Sequence, residues 1–127
     1  MTNLVSNAGV VATDVTGVGS VRYGLAAAGY GVDKAIFGYG LNNGINLSVT
    51  NLVSNAGVVA TDTTGVGTAR QFLAAAGYGG DKAIFGYGYT ESPVSMTNLV
   101  SNAGVVATDT TGVGTSRYGP AGASYSS

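Results

Sequence analysis

Thr50–Gly67 reads TNLVSNAGVVATDTTGVG, and this block occurs three times in the chain. Thr97–Gly114 repeats it without change, and Thr2–Gly19 differs only at Val15. The copies start 48 and then 47 residues apart. Repeats of this length are typical of solenoids, propellers and arrays, in which each unit buries its apolar face against the next. The chain therefore holds about two and two-thirds units of one repeated fold.

Composition narrows the class of protein. The 127 residues are enough for one domain, and 45% of them are hydrophobic, which is typical of a globular chain. Only 9% are charged and the net charge is −1, so no basic surface is expected for nucleic acid or for an anionic membrane. No apolar run is long enough for a membrane helix, no signal peptide is visible, and there is no cysteine for a disulfide framework.

Glycine is unusually frequent, with 22 copies, and its positions recur from unit to unit. Glycine supplies tight turns and close backbone approach at a cost in backbone entropy. Its fixed positions indicate a repeated fold, since a flexible linker would carry glycine without such a pattern.

The most complete unit divides into four short apolar runs. They are Arg70–Tyr78, Lys82–Tyr87, Val94–Val100 and Gly104–Thr110. Each run has the length of a β-strand and is bounded by Gly, Asn, Asp, Ser or Pro. Gly79-Gly80-Asp81 fits a tight hairpin turn, because glycine adopts positive φ. The sequence therefore predicts four antiparallel strands in each unit.

Two alanine-rich segments, Leu25–Ala28 and Leu73–Ala76, also fit a helix, since alanine favours that conformation. Glycine ends each of them within a few residues, and so short a helix is marginal. We therefore predict strands there. The segment between the second and third runs differs between units, as Leu41–Val49 and Tyr89–Met96, which is typical of a surface loop or exposed edge.

The stretch Arg22–Gly40, RYGLAAAGYGVDKAIFGYG, resembles the start of a kelch repeat. In that family an Arg-Tyr-Gly opening leads to an inner strand, and a second strand ends in a diglycine. Phe37–Gly40 and Phe85–Gly88 stand at the position of the family's Phe-Gly-Gly. Repeats of the chromosome-condensation-regulator type are similar to the same degree. The near-identical copies also resemble highly repetitive blades predicted in environmental phage proteins, which would imply a virion component.

The resemblance implies a β-propeller with blades of four antiparallel strands, named a to d from the centre outwards. The expected divisions are a partial blade 1–19, blades 20–67 and 68–114, and a partial blade 115–127. An inner strand is expected at Arg117–Tyr125, and the tail Gly122–Ser127 is a candidate for the strand that follows. Closed propellers have roughly four to eight blades, so a closed ring is expected through homo-oligomerisation, with a six-bladed dimer favoured.

Nearly all charged residues sit at repeated positions. Three aspartates are each followed eight residues later by an arginine: Asp14 by Arg22, Asp62 by Arg70 and Asp109 by Arg117. We expect structural ion pairs that tie the end of the fourth strand to the next blade. The alternative is a ring of charged groups around a channel, able to hold a ligand.

Tyrosines beside glycines are the candidate ligand-binding residues: Tyr30, Tyr39, Tyr78, Tyr87 and Tyr89. Tyrosine can stack on a sugar, and it can equally fill the space between blades while its hydroxyl finds a polar partner. No histidine or cysteine is present, so general-base and thiol chemistry lack their usual residues. No catalytic residue, metal site or cofactor is expected.

These observations favour a non-enzymatic, self-assembling structural or binding scaffold, either engineered or phage-derived. Near-identity of the copies indicates recent duplication or design. One alternative is a glycan- or receptor-binding module of a phage tail or adhesin, and another is a β-solenoid fibre.

Overall fold

The computed structural model describes residues 1–125 of the chain and shows an all-β fold, as predicted. Its strands are β1 (Ala26–Tyr30), β2 (Lys34–Asn42), β3 (Ile45–Val53), β4 (Ala74–Tyr78), β5 (Lys82–Gly86) and β6 (Thr97–Val100). The first three form one antiparallel sheet in chain order, and the last three form a second. Over these 125 residues no helix is long and apolar enough to cross a membrane.

Both alanine-rich runs are β-strands, which confirms the prediction. Ala27 pairs with Phe37 across β1 and β2, and Ala75 pairs with Phe85 across β4 and β5. The small side chains leave room for the aromatic rings on the neighbouring strand. This pairing between strands decides the conformation in spite of alanine's preference for helix.

The predicted hairpin turn between β4 and β5 is also confirmed. Gly79 and Gly80 have φ angles of 60° and 81°, in the left-handed region that glycine occupies without strain. Val32 stands in the first sheet where Gly80 stands in the second, and its φ is 75°. Its side chain is 87% exposed, so no packing compensates for this conformation.

The Gly-Tyr-Gly motif forms a β-bulge. The register of β2 against β3 shifts between Gly38 and Gly40, and Tyr39 between them has a φ of 64°. Gly40 has a φ of 110° and lies so close to a backbone carbonyl that a Cβ would approach it to 2.8 Å. Tyr87 repeats the left-handed conformation with a φ of 60°. The bulge turns the Tyr39 side chain into the interior, where it is fully buried.

The fourth run of each unit lies beside the third but is not a regular strand, so each whole unit has three strands where four were predicted. Single bridges join Thr50 to Thr63 and Val53 to Val59. Between these bridges the side-chain amide of Asn51 donates to the carbonyl of Ala60 at 3.1 Å. The Ala60 carbonyl is therefore bound to a side chain and is not available to the backbone N–H of a regular β-ladder.

The variable segment differs between the two units. The prediction of a loop at Leu41–Val49 is wrong, because β2 continues to Asn42 and β3 begins at Ile45. Asn43 and Gly44, with φ angles of 47° and 81°, form a two-residue hairpin turn. Tyr89–Met96 lies outside the regular strands, as predicted.

The two sheets pack face to face around a small core. Gly38 lies against the ring of Phe85, and a Cβ added there would be 2.7 Å from the ζ carbon of that ring. The rings of Tyr39 and Phe85 meet edge to face with centroids 5.2 Å apart. The buried apolar core consists of Tyr30, Ile36, Tyr39, Leu73, Ala83, Phe85 and Val100.

Equivalent positions of successive units are hydrogen-bonded in series. Phe72 N donates to Gly24 O, and Gly119 N donates to Phe72 O, each at 2.7 Å. The three residues occupy the same position in three successive units, and all three have positive φ. The backbone segments around these three residues are therefore stacked in register.

The expected inner strand at Arg117–Tyr125 does not form a regular strand. Arg117 makes one bridge to Val94, and Ser124 Oγ accepts a hydrogen bond from Gly77 N at 3.0 Å. The tail thus lies over β4 in an irregular conformation. Two residues of the tail Gly122–Ser127, Ser126 and Ser127, fall outside the described part of the chain.

The first block, Thr2–Gly19, forms the same bridged hairpin as its copies but is almost wholly exposed. Val5 is 62% exposed, whereas Val100 at the same position of the third block is fully buried. Val100 is covered because it lies in β6, which pairs with β5. Among residues 1–125 no strand pairs with Thr2–Val5 in the way that β5 pairs with β6.

Candidate functional site

The repeated acidic residue is the centre of a hydrogen-bond network. Asp62 accepts hydrogen bonds from Ser20 N at 3.0 Å, from Ser20 Oγ at 2.6 Å and from Asn51 Nδ2 at 2.8 Å. Arg22 lies 3.7 Å from the carboxylate and also donates to Asn51 Oδ1. The network therefore ties the segment before β1 to the segment after β3 of the same unit.

The ion pair differs from the arrangement that the spacing suggested. Asp62 is bound to Arg22 of its own unit, 40 residues earlier, and not to Arg70 of the next unit. Three hydrogen bonds from Ser20 hold the Asp62 carboxylate on this side. Arg70 instead lies 4.4 Å from the centroid of the Tyr39 ring, facing the preceding unit.

The second whole unit repeats the hydrogen bonds to the carboxylate with Asp109 in place of Asp62, but its arginine, Arg70, does not lie within 4.0 Å of that carboxylate. Its carboxylate accepts bonds from Thr68 N at 3.1 Å, from Thr68 Oγ1 at 2.6 Å and from Asn98 Nδ2 at 2.8 Å. Arg70 is fully buried, with Nη1 donating to Thr68 O at 3.1 Å and Nε donating to Tyr87 O at 2.8 Å. A charge so buried is tolerated because carbonyls, the Tyr39 ring and the nearby carboxylate surround it.

The acidic groups of both networks favour the charged form. The hydrogen bond from the Ser20 side chain lowers the pKa of Asp62, with smaller contributions from Asn51 and Arg22, while burial opposes the shift. Burial is the largest single influence on Asp109 and raises its pKa, but the hydrogen bonds from Thr68 and Asn98 outweigh it and the net shift is downward.

The basic and phenolic groups of the junction shift in the direction that burial dictates. Desolvation lowers the pKa of Arg22 and of Arg70, although the neighbouring Asp62 raises the pKa of Arg22 in part. Both guanidinium groups stay protonated, since arginine does not lose its proton in proteins. Burial raises the pKa of Tyr39, and its hydroxyl donates to Val66 O at 3.1 Å.

Asp14, the first repeated aspartate, and Arg117, the last repeated arginine, each lack some of the partners that their counterparts have. Asn3 Nδ2 donates to Asp14 Oδ1 at 2.8 Å, as in the other copies, but within residues 1–125 no serine or threonine hydroxyl and no arginine reaches this carboxylate. Arg117 lies 4.0 Å from the centroid of the Tyr87 ring and is exposed. No carboxylate of the described chain lies within 4.0 Å of it.

A second repeated contact joins neighbouring units near their outer strands. The turn glycine Gly104 lies against Leu52 and Tyr30 of the preceding unit, and an added Cβ would be 2.9 Å from each side chain. Gly57 makes the same contact with Leu4. Gly9, the third member of this set, has nothing within 4 Å of such a Cβ among the described residues.

The candidate tyrosines divide by burial. Tyr30 is 5% exposed and Tyr39 is fully buried, so neither ring has a free face for a sugar. Tyr78 is 37% exposed, and Tyr87 and Tyr89 are partly buried. The five rings are not gathered on one surface, because Tyr39 and Tyr87 lie in successive junctions between units.

The arginine and turn-glycine contacts join neighbouring units, and the aspartate networks join the two ends of one unit. Over the described residues no group of three or more His, Cys, Asp or Glu side chains could hold a metal ion. Many polar groups of the networks bind one another, as Asn51 binds Asp62, but Arg22 Nε, Arg70 Nη2 and Asn98 Oδ1 are buried without a hydrogen-bond partner in the described part of the chain.

Sequence reasoning missed the asparagine of the network. Asn3, Asn51 and Asn98 each stand eleven residues before the aspartate and bind it through the same 2.8 Å hydrogen bond. The signal was present, since a polar residue at the same place in all three blocks and in the middle of an apolar run is unusual. The role of this asparagine was not predicted, because the aspartate that it binds lies on the opposite side of the hairpin.

No protein-family model and no curated protein matches this sequence.

Proposed function

We propose that this chain is a non-enzymatic, self-assembling β-propeller fragment that is completed by homo-oligomerisation. The observation that carries the proposal is a repeated set of contacts, in which an arginine and a turn glycine pack on the preceding unit and an aspartate network joins the two ends of each unit. The junction is filled between the two sheets, where Arg70 and Tyr39 meet. The same groups are open at Asp14 and at Arg117. A second copy would supply partners for Asp14 and Arg117, and these would be the same residue types that make the corresponding contacts within one chain.

The blade of four strands is supported by the place of the fourth run. Thr110 and Val106 bridge to the two ends of β6, so the fourth run lies at the outer edge of the sheet. The sheet order a, b, c with this segment as d is the order of a propeller blade. We propose a six-bladed ring of two chains, each contributing three blades.

The exposed apolar surface of the first block also supports assembly. Val5 and Val11 are 62% and 63% exposed on a hairpin with an unpaired edge, whereas their counterparts in the third block, Val100 and Val106, are buried and partly buried. Unpaired edges of this kind promote association between strands, and contiguous exposed apolar surface marks interaction sites.

Native mass spectrometry and light scattering test this function. The chain has a mass of 12.5 kDa, so the proposed dimer has twice that mass. We expect one discrete species of about 25 kDa at micromolar concentrations. A protein that stays at the monomer mass up to the highest soluble concentration would refute the proposal.

A β-solenoid fibre is the second candidate, favoured by one observation. Gly24, Phe72 and Gly119 are hydrogen-bonded in register through successive units, as in a stack that continues along an axis. Repeated head-to-tail contacts form a closed ring when the rotation between neighbouring subunits completes a full turn, and they form a filament when it does not. Electron microscopy distinguishes the two, because a solenoid gives elongated filaments and a propeller gives small discs.

A further inference from the structure

We infer that the first block of one chain binds a defined surface on a second copy of the same chain. The docking block is Thr2–Gly19, and the acceptor surface is formed by Tyr78, Leu99, Thr115 and Arg117. This inference rests on the proposed self-assembly and names the contact that produces it. The template is inside the chain, where the third block, Thr97–Gly114, binds the equivalent residues at the start of its own unit and in the preceding unit.

The first half of the template is the turn glycine. Gly104 of the third block fits against Tyr30 and Leu52, where an added Cβ would be 2.9 Å from each side chain. Under this turn Tyr30 is only 5% exposed. Tyr78 and Leu99 are the same residues one unit later, and they are 37% and 40% exposed.

Gly9 is the matching glycine of the docking block. It has a φ of 75°, close to the 78° of Gly104, and open space where its Cβ would be. The turn is therefore already in the binding conformation. Tyr78 and Leu99 are the apolar surface that fits it.

The second half of the template is the carboxylate. Asp109 accepts three hydrogen bonds from Thr68, and Arg70 has the position in its unit that Arg22 has 3.7 Å from Asp62. Thr115 and Arg117 are the same residues one unit later, and both are exposed. The acceptor surface therefore has a hydroxyl, a backbone N–H and a guanidinium ready for a carboxylate.

Asp14 of the docking block is that carboxylate. Asn3 already holds it at 2.8 Å, the distance at which Asn98 holds Asp109. Its remaining hydrogen-bonding positions are open to a donor from outside the described chain. Docking pairs it with Thr115 and Arg117, so a negative group meets a positive one and buried polar atoms find partners.

Docking also leaves the internal contacts of the block intact. Leu4 packs on Gly57 of the same chain, and this contact lies apart from Gly9 and Asp14. Each chain has one docking block and one acceptor surface, so the contact is head to tail and every copy can bind two neighbours. The mixed unit takes its inner segment from one chain and its outer hairpin from the other.

The turn contact is tested with Gly9→Asn. Asparagine tolerates positive φ better than most residues, so the hairpin is expected to fold, but its side chain meets Tyr78 and Leu99 of the neighbour. We expect the concentration at half-assembly to rise by about a hundredfold. Gly44→Asn is the matched control, because Gly44 has a φ of 81°, also has open space at its Cβ, and lies outside the contact. It should assemble as the unmodified protein does.

The charged contact is tested by reversal and mixing. Asp14→Arg alone opposes two arginines across the contact, and Arg117→Asp alone opposes two aspartates. Each variant is expected to sediment as a monomer at concentrations where the unmodified protein assembles. An equimolar mixture of the two restores assembly, because every contact between unlike chains again joins opposite charges. A variant that failed only through misfolding could not be rescued in this way.

The outcomes separate this contact from the proposed function. An unmodified protein that is monomeric at all concentrations refutes both. Assembly that is unaffected by Gly9→Asn and by both charge reversals refutes this contact and leaves self-assembly standing. Loss of assembly with Gly44→Asn as well as Gly9→Asn, or no recovery on mixing, also refutes the contact.

Discussion

At the scale of single residues, the backbone conformation of a few positions carries much of the repeat. Tyr39 adopts a left-handed conformation at the bulge of β2, and Tyr87 adopts the same conformation directly after β5. Burial of the Tyr39 ring and its hydrogen bond to Val66 O compensate for the strain. Val32 adopts the same region with an exposed side chain, so its strain has no such compensation.

Val32→Gly should therefore stabilise the protein. A β-branched residue in the left-handed region costs about 1–2 kcal/mol, and glycine removes that cost while losing backbone entropy of a smaller size. We expect the free energy of unfolding in urea to increase by about 0.5–1 kcal/mol. Gly80→Val is the reciprocal control, since an added Cβ at Gly80 meets nothing within 4 Å and only the backbone conformation is tested. It should be destabilising, and equal stability of both variants would contradict the argument.

The hydrogen bonds to Asp62 predict how stability depends on pH. Its pKa is lowered in the folded chain, so the unfolded state takes up the proton first as the pH falls. The contribution of Asp62 is complete above the unfolded pKa of about 3.9 and is lost as the pH falls through the lower folded pKa. Urea unfolding of the unmodified protein from pH 7 to pH 2.5 should show this loss of stability.

Asp62→Asn should reduce the loss of stability that occurs as the pH falls, because the side chain at position 62 no longer titrates. Glu91→Gln is the control, since Glu91 lies outside the network, and its unfolding curve should keep the slope of the unmodified protein. Identical pH profiles for Asp62→Asn and the unmodified protein would show that Asp62 is not among the groups responsible.

At the scale of strands and sheets, the units are joined where glycine lets an aromatic ring approach the backbone. Gly38 lies in β2 against the ring of Phe85 of the neighbouring sheet. Gly29 lies in β1, where an added Cβ would be in ordinary contact at 3.5 Å from Lys34 O. Neither has positive φ, so the two glycines differ in packing alone.

Gly38→Ala should destabilise the protein, because the new methyl group meets a ring that is fully buried and cannot move freely. Overpacking of this kind typically costs about 1–3 kcal/mol. Gly29→Ala is the matched control and should be neutral or slightly stabilising, by up to about 1 kcal/mol. Thermal and urea unfolding measure both, and equal effects would mean that the two sheets do not meet at Gly38.

The strands could be predicted from the sequence where nearby residues determine their ends. Glycine bounds the alanine-rich runs, and Gly79-Gly80 marks its turn, so these elements follow from nearby residues. The continuation of β2 through Leu41 was missed because a loop was inferred from a difference between units. The partner of Asp62 was missed because forty residues separate it from Arg22, and spacing along a chain does not reveal contacts formed by stacked sheets.

At the scale of the whole molecule, the two sheets form one complete junction between units. The residues equivalent to its two sides are exposed at the first block and at Arg117. Arg70 is buried with the Tyr39 ring above it and two backbone carbonyls as acceptors, whereas Arg117 is exposed beside the Tyr87 ring and Asp14 is held by Asn3 alone among residues 1–125. Composition explains why such a chain would associate readily. With 9% charged residues and a net charge of −1, there is little electrostatic repulsion between copies.

Thermal stability should therefore depend on protein concentration. When folding and association are coupled, mass action favours the assembled native state as concentration rises. For a dimer, a hundredfold increase in concentration should raise the melting temperature by about 5 °C. Scanning calorimetry or circular dichroism at 2 and 200 μM measures the shift. In Gly9→Asn the shift should be much smaller, because assembly and not folding is weakened, and Gly44→Asn should keep it. A melting temperature that is independent of concentration in the unmodified protein would mean that the junctions are not completed by a second chain.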